Sequence, residues 1–214
     1  GDSITSGEGD IGAKAETDWI SMFFSAENNY AVMVSRALNA DIRVSSQSGW
    51  GVCCGWNNDP NSAIPPIYGQ LCGLSSGEKN IALGAKEPYD FTKWQPNYVF
   101  INLGTNDCGA FSQPAWTDET TGETFQNRRT EDGKLNPEDE ARFAHGATAF
   151  LKQLRGYYPN ARLVWIYGML GLELAPALQK AIDDYKTETG DANAEFLSLT
   201  DDLCLLYTSD AADE

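Results

Sequence analysis

The chain has 214 residues, 42% of them apolar, which suits one medium-sized α/β domain with a real core better than two small ones or a disordered tail. Its formal net charge of −16 excludes a nucleic-acid backbone or an anionic membrane surface as a natural partner, since both repel it, and the acid excess reads as solubility. No stretch approaches the roughly 20 apolar residues of a membrane span, and no basic segment followed by an apolar one marks a signal peptide.

The chain opens on "GDSITSG", in which Gly-Asp-Ser by itself reads as an ordinary turn or helix cap. From Ala26 to Leu38, the spacing of Tyr30, Met33, Val34, Ala37 and Leu38 predicts an amphipathic helix. "DIRVSSQSGWG" then predicts a short alternating strand running into a glycine turn. Residues 53 to 97, rich in Gly, Pro and Asn, read as loop with short helical pieces. Cys53 and Cys54 are adjacent, without C-x-x-C spacing. With Cys72, Cys108 and Cys204 they read as ordinary free or disulfide-bonded cysteines, and a chain with one histidine gives a zinc site or other metal cofactor poor support.

"YVFINLGTND" predicts a strand buried on both faces that ends in a polar turn. The long polar stretch from Gly109 to Glu140 is too long for an ordinary connection and reads as a lid-like or mobile insertion. Asn136 is then placed to cap a helix, with Pro137 at its first position, Glu138, Asp139 and Glu140 at the positive end of its dipole, and Phe143, Ala147, Phe150, Leu151 and Leu154 as its buried stripe. "ARLVWIYGML" predicts a second buried strand, "APALQKAIDDYKTETG" a helix stopped by Gly190, and "AEFLSL" a last strand. Alternating strands and helices predict a parallel sheet covered on both faces, with ligands at the carboxyl ends of its strands. Ser48 to Gly51 and Gly104 to Asp107 both fall there.

Taken together, "GDSITSG" and "INLGTND" about a hundred residues later are far more specific than either alone. The chain resembles the SGNH hydrolase superfamily, also called GDSL esterases, over essentially its whole length; the Gly-x-Ser-x-Gly elbow of ordinary α/β-hydrolases is absent around Ser3. The resemblance implies a three-layer α/β/α sandwich, flavodoxin-like, with Ser3 as nucleophile. It implies Gly49 as a backbone donor to the oxyanion, with Gly51 the neighbouring alternative, and Asn106 as a side-chain donor. Pre-aimed donors suit acyl transfer because the intermediate places negative charge on oxygen, each donor being worth about 3 kcal/mol. Asp107 reads as a turn cap. More narrowly, "GDSITSGEG", "SQSGWGV" and "WIYGMLG" are similar to carbohydrate esterase family 2 and related bacterial deacetylases, which remove acetyl esters from plant polysaccharides. On that likeness Trp50, Trp56 and Trp116 would stack on sugar rings, although tryptophans also serve simply as packing.

A serine nucleophile needs a base. His145, the one histidine, sits inside the helix that begins at Asn136 and reads as a surface residue, whereas the family's catalytic histidine follows the last strand. After "AEFLSL" the chain runs "TDDLCLLYTSDAADE", whose last eleven residues resemble translated sequencing adaptor. The expectation is therefore an esterase domain over 1–203 with a foreign tail over 204–214, truncated at both ends: the strand before Gly-Asp-Ser and the base both lie outside the sequence. An SGNH lipase, thioesterase or lysophospholipase, or a non-catalytic carbohydrate-binding relative, are the alternatives. The substrate is expected to be a small-molecule or polysaccharide ester, with no cofactor.

Overall fold

The computed structural model describes residues 1–12 and 20–199. The expectation of a foreign tail over 204–214, Cys204 included, lies outside them.

Helix α1 (Ser3–Ser6) is a single turn opened by Asp2, whose carboxylate accepts the Ile4 N–H at 3.1 Å. Helix α2 (Tyr30–Ala37) starts four residues later than its periodicity, because the Asn29 side chain accepts the Ala31 and Val32 N–H groups at 2.7 and 3.4 Å. Asn29 also donates to the Thr5 carbonyl, which ties α2 to α1. The strand expected in residues 41–46 does not form. The side chains of that segment are mostly exposed, and apart from the local Ile42 N–H bond to Asp41 Oδ1 its backbone bonds among the described residues go to Gly1: the Gly1 amine donates to the Ser45 carbonyl at 2.8 Å and the Gln47 N–H, just beyond, to the Gly1 carbonyl at 3.0 Å. Two bonds do not make a ladder, whatever the alternation of Ile42 and Val44 suggests.

Residues 53–97 are loop with helices α3 (Pro65–Tyr68) and α4 (Glu78–Ala82), as expected. Strand β1 (Tyr98–Ile101) then leads into helix α5 (Thr105–Ala110). A small antiparallel hairpin, β2 (Trp116–Thr117) and β3 (Thr124–Phe125), precedes helix α6 (Pro137–Tyr157). Strand β4 (Arg162–Tyr167), helix α7 (Ala175–Thr189) and strand β5 (Ala194–Ser198) complete the order. The sheet is parallel, β1-β4-β5, with β4 central. Helices alternate with its strands in an α/β/α arrangement.

Register decides what each sheet face does. Ile101 pairs with Trp165, and Trp165 with Phe196, so these side chains share one face. That face joins the buried stripes of α6 and α7 in a single core containing Leu103, Phe143, Leu151, Leu154, Leu163, Trp165, Leu178, Ile182 and Tyr185. On the other face Val164 and Ile166 are buried, but Tyr98 and Phe100 are 57% and 53% exposed. The expectation that β1 is buried on both faces is therefore corrected. Whether a face is covered depends on what packs over it and not on the strand's own apolar run, and among the described strands β4 is the one buried throughout, from Leu163 to Tyr167.

The α6 cap forms as the sequence dictates, with Asn136 accepting the Glu138 and Asp139 N–H groups at 3.0 and 3.3 Å. Such a cap is worth about 1 kcal/mol, whereas each buried Phe or Leu of the stripe contributes about 1.5–3 kcal/mol. Packing holds this helix; the cap sets where it begins.

The insertion before α6 is tethered rather than free. At its root the Asn58 amide donates to the carbonyls of Ala110, Gln113 and Pro114, while its oxygen accepts the Asn127 N–H at 2.8 Å. Arg129 reaches Glu173, in the loop after β4, through bonds of 3.0 and 2.7 Å. Asp139, its side chain fully buried, binds Arg128 and Arg142, each at 2.8 Å, and the Arg128 N–H. Burial pushes the Asp139 carboxyl up, but these partners outweigh it and hold the group below the usual carboxylate range. A depressed folded-state value means stabilisation that is present above the unfolded value, near 3.9, and lost as pH falls through the folded one. Both arginines are partly exposed, so Asp139→Asn is expected to cost about 2 kcal/mol rather than the 3–5 of a fully buried pair. Tm at pH 7 should fall by about 4–8 °C, the gap closing in acid. A gap that persists unchanged at pH 3 would contradict the ion pairs as its source.

Candidate active site

Three segments meet at the carboxyl end of β1. The first is the start of α1. Asp2, completely buried, uses one carboxylate oxygen to cap Ile4, which puts Ser3 at the first position of the turn. The first N–H groups of a helix have no intrahelical partner, so the Ser3 N–H is open there. Among the described residues the Ser3 hydroxyl has no hydrogen-bond partner either.

The second segment is the loop 48–54. Gly49 has φ +77°, a conformation that side chains disfavour, and among the described residues its N–H faces no acceptor. Gly51 is different. Its N–H donates to the Ser62 carbonyl at 3.2 Å, and its own carbonyl accepts the Ile64 N–H at 2.9 Å. Gly51 is therefore not available as the alternative oxyanion donor. It is glycine for space: a Cβ there would lie 2.3 Å from Asp107 Oδ2.

The third segment is the turn from Gly104 into α5. Asn106 Nδ2 donates to the Trp50 carbonyl at 2.9 Å and approaches Asp2 Oδ2 at 3.5 Å. One side-chain amide thus bridges the residue after Gly49 and the residue before Ser3. Asp107 is not the local turn cap expected from the sequence. Its two oxygens accept the N–H groups of Val52, at 2.8 Å, and Cys53, at 2.7 Å, more than fifty residues away in the chain. Burial pushes the Asp107 carboxyl up to about 6, and the backbone N–H groups of Cys53 and Val52 pull against that. Burial likewise pushes Asp2 up to about 6, with the Asp107 charge adding to the push. The thiols of Cys53 and Cys54 are driven up by burial first and by the Asp107 charge second, so neither is a thiolate nucleophile at neutral pH.

The remaining candidates separate. His145 stands exposed on α6 and has no partner among the described residues. Trp56 is 52% exposed beside Gly49, its N–H donating to the Gly49 carbonyl at 3.0 Å and its indole edge 3.3 Å from where a Gly49 Cβ would stand. Trp50 packs half-buried against the core, and Trp116 sits half-buried in the hairpin opposite Phe125. Sequence reasoning missed the long-range grip of Asp107 and the open N–H of Ser3. An acid directly after Asn106, in a turn facing a glycine-rich loop, was the available signal for the first.

Comparison with known proteins gives the family and the fold. The pattern of the GDSL-like lipase/acylhydrolase family matches residues 1–207. An acetyl xylan esterase from the rumen bacterium Butyrivibrio proteoclasticus is similar in structure, with a TM-score of 0.88 and 47% identity over 92% of this chain and 53% of that one. A cellulase/esterase of Acetivibrio thermocellus is 25% identical over 92% of this chain but only 20% of its own length. An acetylxylan esterase/glucomannan deacetylase of Cellvibrio japonicus is 27% identical over 50% of this chain and 28% of its own. A family two carbohydrate esterase from Clostridium thermocellum, solved with cellohexaose, shares the fold at a TM-score of 0.68 and 23% identity, over 92% of this chain and 51% of that one. This chain spans about half of the solved relatives and about a quarter of the curated ones.

Proposed function

Because the chain belongs to the GDSL-like lipase/acylhydrolase family, we propose that it is the esterase part of a serine hydrolase that removes acetyl groups from O-acetylated carbohydrate. The observation that carries the reading is the Asn106 amide, which joins the Ser3 turn to the Gly49 loop. Ser3 Oγ attacks the acetyl carbonyl carbon while a base takes its proton. The carbonyl oxygen becomes an oxyanion facing the Gly49 N–H, the Ser3 N–H and the second Asn106 N–H, the one that does not serve the Trp50 carbonyl and only approaches Asp2 Oδ2 at 3.5 Å, each donor worth about 3 kcal/mol in the transition state. Collapse expels the sugar oxygen, which receives the proton. Water then attacks acetyl-Ser3 by the same route, releasing acetate and restoring the serine. In this reading residues 1–203 are the esterase part, 204–214 a tail foreign to it, and the base a histidine outside this sequence.

The 47% identity to an acetyl xylan esterase supports a small acyl group and a polysaccharide alcohol. The exposed Trp56 beside Gly49 supports a sugar platform at the mouth of the site. The test uses the complete protein on aryl acetate, aryl octanoate and an acetylated xylo-oligosaccharide. Acetate should be preferred over octanoate by about 10²-fold or more in kcat/KM. Trp56→Ala should raise KM for the oligosaccharide about tenfold and leave aryl acetate unchanged. Equal turnover of acetate and octanoate would sink the deacetylase reading, and a Trp56 effect shared by both acetyl substrates would sink the platform.

A further inference from the structure

We infer that Asp107 is a positioning residue that sets the distance between two of the proposed oxyanion donors, the Gly49 N–H and the Asn106 amide, an inference that rests on the ester-hydrolase reading above. Loop 48–54 belongs to no helix or strand ladder, so its conformation depends on individual anchors. Some are backbone bonds: Trp50 N–H to the Gln47 carbonyl, Gly51 N–H to the Ser62 carbonyl and Trp56 N–H to the Gly49 carbonyl. The consecutive N–H groups of Val52 and Cys53 have no backbone acceptor, and each meets one oxygen of Asp107, at 2.8 and 2.7 Å. Successive N–H groups on one curve of backbone form a concavity suited to an anion, and here a buried side chain fills it.

The placement of this carboxylate is closely determined. Asp107 is fully buried on α5, which follows directly from β1, so the sheet fixes its position. Gly51 admits it: the absent Cβ is the space through which Oδ2 reaches the loop. The neighbouring residue, Asn106, grips the same loop from its other side through the Trp50 carbonyl. One dipeptide therefore holds both a carbonyl and two amides of the segment that carries Gly49, while Asn106 itself is the second donor. The separation of the Gly49 N–H from the Asn106 amide is set by Asn106-Asp107 and its bonds to residues 50, 52 and 53. Misplacing a catalytic donor by about 1 Å can cost about 10² in rate.

Two substitutions approach the clamp from opposite sides in the complete protein. Asp107→Asn keeps the shape but turns one acceptor into a donor facing an N–H group. Gly51→Ala leaves the carboxylate in place and pushes the loop away from it; Gly51 has no positive φ, so alanine brings steric change without backbone strain. Each variant is expected to lower kcat for aryl acetate about 10²-fold with KM within about threefold, assayed well below its Tm. Asp191→Asn, which breaks the Arg155 pair before β5 at the opposite end of the sheet, controls for lost stability and should keep kcat within about threefold. Amide exchange at Val52 and Cys53 should accelerate about tenfold or more in Asp107→Asn, with α6 and α7 unchanged. Unchanged exchange at those two amides overturns the clamp. An unchanged kcat, or an equal loss in Asp191→Asn, overturns the positioning role. Absence of Ser3-dependent turnover in the unsubstituted complete protein overturns the ester-hydrolase reading and with it the purpose assigned to the clamp, even if the exchange result holds.

Discussion

Replacing Ser3 by alanine is expected to lower kcat for acetyl esters about 10⁶-fold in the complete protein, with little change in KM or Tm. The size follows from how a serine hydrolase works as a unit: without the nucleophile the base has nothing to deprotonate, and the donors stabilise an intermediate that no longer forms. About 10³-fold over water can survive, because donors still polarise a carbonyl that water attacks directly. Stability should hold because the Ser3 hydroxyl makes no hydrogen bond among the described residues, while the α1 cap depends on Asp2. His145→Ala is the paired control. Its imidazole is exposed on α6, so activity should stay at the parent level. The 214-residue chain assayed alone should show no Ser3-dependent turnover. Robust turnover by that chain, or loss of activity in His145→Ala, would show that the base has been misassigned.

Trp165→Ala should be the most damaging single change to the fold. Trp165 is completely buried in the central strand, pairs in register with Ile101 and Phe196, and meets Phe150 edge-on at 6.4 Å. Truncating a buried Trp costs about 3–5 kcal/mol through lost transfer energy and the cavity left behind. Its indole N–H also donates to the Leu103 carbonyl at 3.0 Å, and leaving that buried acceptor unpaired adds about 1–3 kcal/mol. The sum is comparable with the whole stability of an ordinary domain, about 5–15 kcal/mol. The variant should unfold at far lower urea than the parent or fail to fold. Trp165→Phe keeps most of the volume and loses the N–H, so its urea midpoint should fall between the two. A Trp165→Ala midpoint matching the parent would mean that the sheet centre repacks without it.

The parts of the fold legible in the sequence are those in which local and tertiary signals coincide. The helix beginning at Pro137 showed its cap, its first-turn acids and its stripe, and all five stripe residues are buried. The helix ending at Gly190 and the strands at 162–167 and 194–198 were equally plain. Residues 41–46 carry strand-like alternation, but a strand needs a neighbour, and no local pattern says whether one is present. β1 misled in a related way: "YVFI" looks buried on both faces, yet Tyr98 and Phe100 stand open because burial belongs to the sheet and not to the strand. At the site, Ser3, Gly49 and Asn106 were singled out only through the family resemblance. Asp107 was hard to read, since its partners lie 54 and 55 residues off and its position after Asn106 was the one signal. Gly51 was misread because a glycine chosen for close approach looks, in sequence, like one chosen to expose its N–H.

The tethers on the insertion are unequal, and that bears on how such a protein can diversify. At the root, the buried Asn58 bonds are inseparable from the packing behind them. The Arg129–Glu173 bridge is partly exposed, with Glu173 at 51%, and such a pair is worth about 1 kcal/mol or less. Beyond it, residues 118–123 turn on the Asp118 side chain and backbone and on the Thr121 hydroxyl, mostly in contact with water. Additions or deletions at this tip leave the root, the sheet and the Ser3 turn untouched. Chain length there is free to drift under selection while the domain that carries it stays constant.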